Sequence, residues 1–109
     1  MALVMRQSII AVKPGKRQEV EKLFDAFEEH ASKQKGYILG YRYTIPEQPD
    51  VLAHVDIWAS PEVLGSSVIQ DHVMYLRSQL LTLSDKEQNS EKQYVIHSTT
   101  KNFPKPSIQ

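Results

Sequence analysis

Between Asp50 and His72 the chain reads DVLAHVDIWASPEVLGSSVIQDH, which places His54, Asp56 and Trp58 at every second residue. Side chains alternate between the faces of a strand, so these three share one side. They bring together an imidazole that titrates near neutral pH, a carboxylate able to orient it, and an indole that can stack on an aromatic ring or donate its N–H. An imidazole of this kind can take a phenolic proton. Tyr43 offers a phenol to a carbonyl or hydroperoxide oxygen, and Arg77 a guanidinium to a phenolate or peroxide anion. Each group also has a structural reading. His54 can simply bond a neighbouring tyrosine, Trp58 can pack at a strand end, Tyr43 can form a cross-strand aromatic pair, Asp56 an intersubunit ion pair, and Arg77 can be solvated on its helix. His54, Asp56 and His72 are the only candidates for a metal, but their spacing is not that of a ligand set, and no metal is expected.

The elements that must position these groups follow from periodicity. Leu3 to Val12 is rich in apolar and β-branched residues and stops at Lys-Pro-Gly, as a first strand should. After Pro14, Val20, Leu23, Phe24, Phe27 and Ala31 recur at three- and four-residue spacing, which predicts an amphipathic helix ending near Gly36. YILGYRYTI and VLAHVDIW, joined by PEQPD, read as a hairpin. Ser60-Pro61-Glu62 has the cap, proline and acid of a helix start, and the apolar positions from Val63 to Leu83 are interrupted enough to predict a break in mid-course. SDKEQNSEK reads as a solvated loop, QYVIHSTT as the last strand, and Pro104 and Pro106 mark an irregular tail.

Strand, helix, strand, strand, helix, strand is the order of an α+β, ferredoxin-like βαββαβ fold, a four-stranded antiparallel sheet with two helices on one face. The 109 residues make a single domain. Val51, Ala53, Val55 and Ile57 are uniformly aliphatic and are expected to meet the helices. Leu52, His54, Asp56 and Trp58 are then expected on the uncovered face. Pairing symmetric about Gln48 and Pro49 sets Tyr43 opposite His54, Tyr41 opposite Asp56 and Leu39 opposite Trp58, all on that face. So many aromatic side chains exceed what a monomer leaves wet, which predicts a homodimer packed sheet to sheet with a cavity among the polar groups.

These residues resemble the antibiotic biosynthesis monooxygenase domain, a branch of the dimeric α/β-barrel superfamily, over nearly the whole chain. The markers are VKPGKRQEVEKLF, KGYILGYRYTIPEQPDVLAHVDIWASPEVL and His72. The third strand of that family commonly ends in an acid, any residue and an aromatic. Asp56-Ile57-Trp58 matches with Asp where Glu is usual, and Ser67 or Val68 stands where an earlier His is often found. His54 occupies a position at which phenol-oxidising relatives carry Asn. The resemblance implies a pocket in each subunit between sheet and helices, near the dimer interface. It also implies oxidation of a phenol or quinol by molecular oxygen without flavin or metal: His54 or Tyr43 deprotonates the substrate, Trp58 and Arg77 hold the oxygenated intermediate, and Asp56, His72, Tyr41 and Leu39 line the site. No cofactor is expected, since the substrate supplies the electrons. The alternatives are a dimer that binds or senses a small molecule without turnover, and a haem-handling protein. The first strand carries Arg6, Gln7 and Ser8 in place of the Asn of the haem-degrading branch.

Composition narrows the partners. Thirteen basic residues balance thirteen acidic ones, no basic stripe is evident, and nucleic acid is not an expected partner. The chain has no Cys, no apolar run long enough to span a membrane and no recognisable secretory signal, so a cytoplasmic protein without membrane contact is expected.

Overall fold

A computed structural model describes residues 3–106. β1 (Leu3–Ala11), α1 (Arg17–Ser32), β2 (Tyr37–Ile45), β3 (Gln48–Trp58), α2 (Pro61–Val68), α3 (Asp71–Thr82) and β4 (Ser90–Ile96) follow in that order. The strands form one antiparallel sheet in the order β2-β3-β1-β4, so the ferredoxin-like plan holds. No helix among the described residues is long and apolar enough to cross a membrane.

Local chemistry accounts for the boundaries. Gly36 turns the chain out of α1 with a φ of 85°, and a Cβ there would sit 2.7 Å from Cγ2 of Val63, so this close approach needs glycine twice over. Ser60 caps α2 by accepting from the Val63 N–H at 3.3 Å, with Pro61 at the first helical position. The expected break separates α2 from α3 at Ile69-Gln70, where Gln70 is extended. β4 starts at Ser90, earlier than its apolar residues indicate, because Ser90, Glu91 and Lys92 pair with Ile9, Ser8 and Gln7 on β1.

The core is assembled on the side of the sheet that the helices cover. Ile10, Leu52, Val20, Phe24 and Leu80 form one buried cluster, and Val4, Trp58, Tyr37, Ala31 and Leu64 another. Ile38, Val55 and Ile57 cluster on the opposite face with Leu39, Tyr43, Met5, Ile96 and Phe103 of the tail, and no helix residue joins them.

The expected face assignment is therefore reversed for β3 and holds for Leu39, Tyr41 and Tyr43. His54, Asp56 and Trp58 point toward the helices, whereas Tyr41, Tyr43 and Leu39 lie on the open face with the aliphatic residues of β3. Hairpin register is what separates the tyrosines from His54. The turn sits at Pro46-Glu47 and β3 begins at Gln48, three residues earlier than expected, with an irregularity before Leu52. His54 consequently pairs with Arg42, Asp56 with Gly40 and Ala53 with Tyr43. A bulge at Ile38 adds one residue to β2, so Tyr37 and Leu39 fall on opposite faces although they share parity in the sequence.

Candidate active site between sheet and helices

Asp56 is the electrostatic centre of the helix-covered face. It is 1% exposed and accepts three hydrogen bonds: from Arg6 Nε at 3.2 Å, Arg6 Nη2 at 2.7 Å and Trp58 Nε1 at 2.9 Å. Arg6 is its cross-strand partner on β1. A buried carboxylate is tolerable only with such pairing, and the bidentate fork fixes the orientation of both side chains. The Trp58 indole is thereby anchored, with its ring edge-on to Tyr37 at 5.3 Å between centroids. Burial, helped by the Asp56 and Glu28 carboxylates, pushes the Tyr37 phenol up to about 12, so it stays protonated. Its hydroxyl lies 2.6 Å from where a Cβ on Gly40 would stand, so the glycine opposite Asp56 makes room for it.

His54 sits beside this network at 8% exposure. Its Nδ1 is 4.0 Å from Asp56 Oδ2, beyond hydrogen-bond reach. Its Nε2 is 3.3 Å from Glu28 Oε2 but misaligned, and this buried nitrogen has no hydrogen-bond partner among the described residues. Glu28 is instead bonded to Arg42 Nε at 2.6 Å, and Arg42 also bonds Asp25 and stacks over Phe24. Burial pushes the imidazole below its ordinary pKa of 6.5. Asp56 and Glu28 pull the other way, opposed in turn by Arg6 and Arg42. His54 is consequently neutral at pH 7, so one of its two ring nitrogens can accept a proton.

His54 lines a cavity of about 120 Å³. Arg6, Ser8, Ile10 and His54 form its floor, Phe24 and Phe27 of α1 and Leu80 of α3 its apolar walls. Its exposed lining residues, Arg77, Leu81, Ser90 and Glu91, lie on α3 and β4, so it opens between those elements. Arg77 Nη1 donates to Glu91 Oε2 at 2.7 Å across this mouth.

Of the residues singled out by sequence, His54 and Arg77 line the cavity, and Asp56 lies behind His54. Trp58 is fully buried in its own cluster outside the lining, its N–H already given to Asp56. Tyr43 donates to Gln7 Oε1 at 3.0 Å on the open face, where Tyr41 is exposed and Leu39 half-buried. His72 is exposed on α3, its ring 5.0 Å from that of His30 and outside the cavity. The described residues contain no cluster of three His, Asp or Glu able to hold a metal. Sequence reasoning missed Arg6, Phe24, Phe27, Glu28 and Arg42. The signal for Arg6 was its place in an apolar strand at the same parity as Val4 and Ile10, positions that must face a core. The phenylalanines belong to the expected helix stripe and gave no sign of bordering a void.

The family model for antibiotic biosynthesis monooxygenases matches residues 3–73. Among solved structures, an asparagine-to-alanine mutant of SnoaB, a cofactor-independent oxygenase from Streptomyces nogalater, superposes with a TM-score of 0.81 at 13% identity, covering 92% of this chain and 98% of that one. A conserved protein from Methanosarcina mazei gives 0.79 at 26% identity, with 86% and 92% covered. A Deinococcus radiodurans protein classed with the antibiotic biosynthesis monooxygenases gives 0.80 at 11% identity, with 91% and 97% covered. No curated protein matches the sequence. The family match spans well over half of the chain, along the strands and helices that build the cavity's floor and first wall, and the chain belongs to the antibiotic biosynthesis monooxygenase family.

Proposed function

We propose that the protein is a cofactor-independent monooxygenase that oxidises a phenolic or quinol-type small molecule in the cavity between sheet and helices. One observation carries this reading: the buried imidazole of His54 lies on the lining of a cavity walled on one side by Ile10, Phe24, Phe27 and Leu80. In the reaction, the His54 imidazole takes the phenolic proton and the phenolate passes electron density from its para carbon to O₂. Bond formation there and return of the proton from His54 give a ring hydroperoxide. Loss of the hydrogen on that carbon with cleavage of the O–O bond leaves a quinone carbonyl and one water. Phenol and O₂ thus become quinone and water, with all electrons drawn from the ring.

Arg6 and Asp56 act as positioning residues, holding charge close to His54 without burying a net charge. Trp58 locks Asp56 from behind. Arg77 stands at the mouth, the lining cation with side-chain freedom to approach a peroxide. A haem reading gains nothing, since His72 lies outside the cavity and a porphyrin far exceeds 120 Å³. A second copy of the chain covers the open face, where Tyr41 and Tyr94 are 48% and 42% exposed beside the aliphatic cluster.

Oxygen uptake with a panel of phenols and quinols tests the function. Uptake by the wild type, lost in His54→Ala and partly restored by free imidazole, is expected. A folded His54→Ala variant that consumes oxygen as the wild type does would refute the role of His54. Tight binding of the panel without uptake would make the protein a binding module.

A further inference from the structure

Glu28 stands between Arg42 and His54. Its Oε2 accepts from Arg42 Nε at 2.6 Å, an ion pair that ties α1 to β2. The same oxygen lies 3.3 Å from His54 Nε2. The fold sets this approach: Arg42 is the cross-strand partner of His54, Phe24 packs on the imidazole at 5.2 Å between ring centroids, and Glu28 follows Phe24 by one helical turn on the same face of α1. The partly exposed carboxylate is thereby held against the outer edge of a ring whose Nε2 is sealed from solvent.

A nitrogen lone pair and a carboxylate oxygen repel at 3.3 Å, whereas an N–H attracts the oxygen, so the neutral ring carries its proton on Nε2. Nδ1 then holds the lone pair. Asp56 Oδ2 is 4.0 Å from Nδ1 and already accepts from Arg6 Nη2 at 2.7 Å, so it does not compete for the ring proton. With Nε2 sealed, Nδ1 is also the ring nitrogen left to a molecule in the cavity. When Nδ1 takes a proton, desolvation opposes the new charge. Asp56 of β3 and Glu28 of α1 favour it, and Arg6 of β1 and Arg42 of β2 oppose it.

We infer that Glu28 is the positioning residue of His54: its carboxylate keeps the ring proton on Nε2, leaves Nδ1 as the base, and closes on the Nε2–H when the imidazole is charged. The inference rests on the proposed function in taking His54 as the base of the cavity, but the pairing itself is a property of the free protein.

NMR of the imidazole rings in the isotope-labelled, ligand-free protein, followed through a pH titration, tests the pairing. In the wild type, neutral His54 is expected to carry its proton on Nε2, with a nuclear Overhauser contact from that proton to the Glu28 side chain. Glu28→Gln keeps the size of the side chain and removes its charge, and the His54 pKa is expected to fall. Arg42→Gln removes an opposing charge and frees the Glu28 oxygen, and that pKa is expected to rise. The acid limb of kcat/KM should move with it in each variant. A neutral wild-type ring protonated on Nδ1 would overturn the inference and needs no variant to fold. So would a His54 titration left in place by Glu28→Gln, with changes confined to the unfolding midpoint, as for a purely structural ion pair. Oxygen uptake with the phenol panel separates the underlying reading: none by a wild type with the expected ring spectrum leaves the pairing standing and removes the monooxygenase. Uptake by a wild type whose ring is protonated on Nδ1 does the reverse.

Discussion

The two faces of the sheet bury their side chains by opposite means. On the open face Val55 and Ile57 are almost fully buried among aliphatic and tyrosine neighbours, and the cluster contains no charged residue. On the helix-covered face Arg6, His54 and Asp56 are buried between two apolar clusters; pairing offsets the cost for Arg6 and Asp56, and His54 is held neutral by burial. The first face is forgiving: it can be resized or covered by another surface. The second is exacting, because each group holds its position only while the others do, and a site with defined proton chemistry needs that exactness.

Removing one partner of the compensated face should have the largest effect. Asp56→Ala strands Arg6 and the Trp58 N–H and is expected to cost about 3–5 kcal/mol in urea unfolding. Ile57→Val, one residue along on the other face, should cost about 0.5–1.5 kcal/mol. Comparable losses would mean that the charged network is incidental. A charge placed on the open face should act on assembly: Tyr41→Asp, at a side chain already half exposed, is expected to leave the monomer folded and shift sedimentation from dimer to monomer. A wild type that sediments as a monomer at micromolar concentration would remove the partner from the account.

Acid should distinguish the faces more subtly. The folded pKa of His54 is depressed by burial, so below about 6.5 the unfolded chain binds a proton that the native state refuses. Stability conferred by the neutral imidazole is full above that pH and falls as pH drops toward the folded pKa. His54→Phe should flatten this part of the stability profile, and the acid limb of kcat/KM should likewise lie below 6.5. The smallest effect on stability is expected at the mouth. Arg77→Gln breaks an ion pair between half-exposed side chains, worth roughly 0–1 kcal/mol, but should speed association of a small phenol measured by stopped flow.

The fold was readable because its signals are local and redundant: the 3.6-residue stripe from Val20 to Ala31, the Ser60-Pro61 start, and alternation along β3. The membership of the site was half readable. His54, Asp56 and Arg77 were found by chemical type, but which residues of β2 share the face of His54 and Asp56 depends on a bulge at Ile38 and a turn at Pro46-Glu47, and a one-residue slip reverses every side chain. The rule that polar residues seek the wet face misled here, because Arg6, fifty residues away, neutralises Asp56 inside the protein. Pairing at such a distance leaves no mark in the spacing of either strand. The resemblance to relatives placed the pocket between sheet and helices, where the strand pattern alone did not.

The central claim is that small-molecule chemistry belongs to the helix-covered face. Chemical-shift mapping with 4-methylphenol under nitrogen tests it most directly. Perturbations centred on Ile10, Phe24, His54 and Leu80 are expected. Perturbations centred on Tyr41, Tyr43 and Tyr94, with the His54 ring signals unmoved, would place the ligand on the other side of the sheet and contradict it.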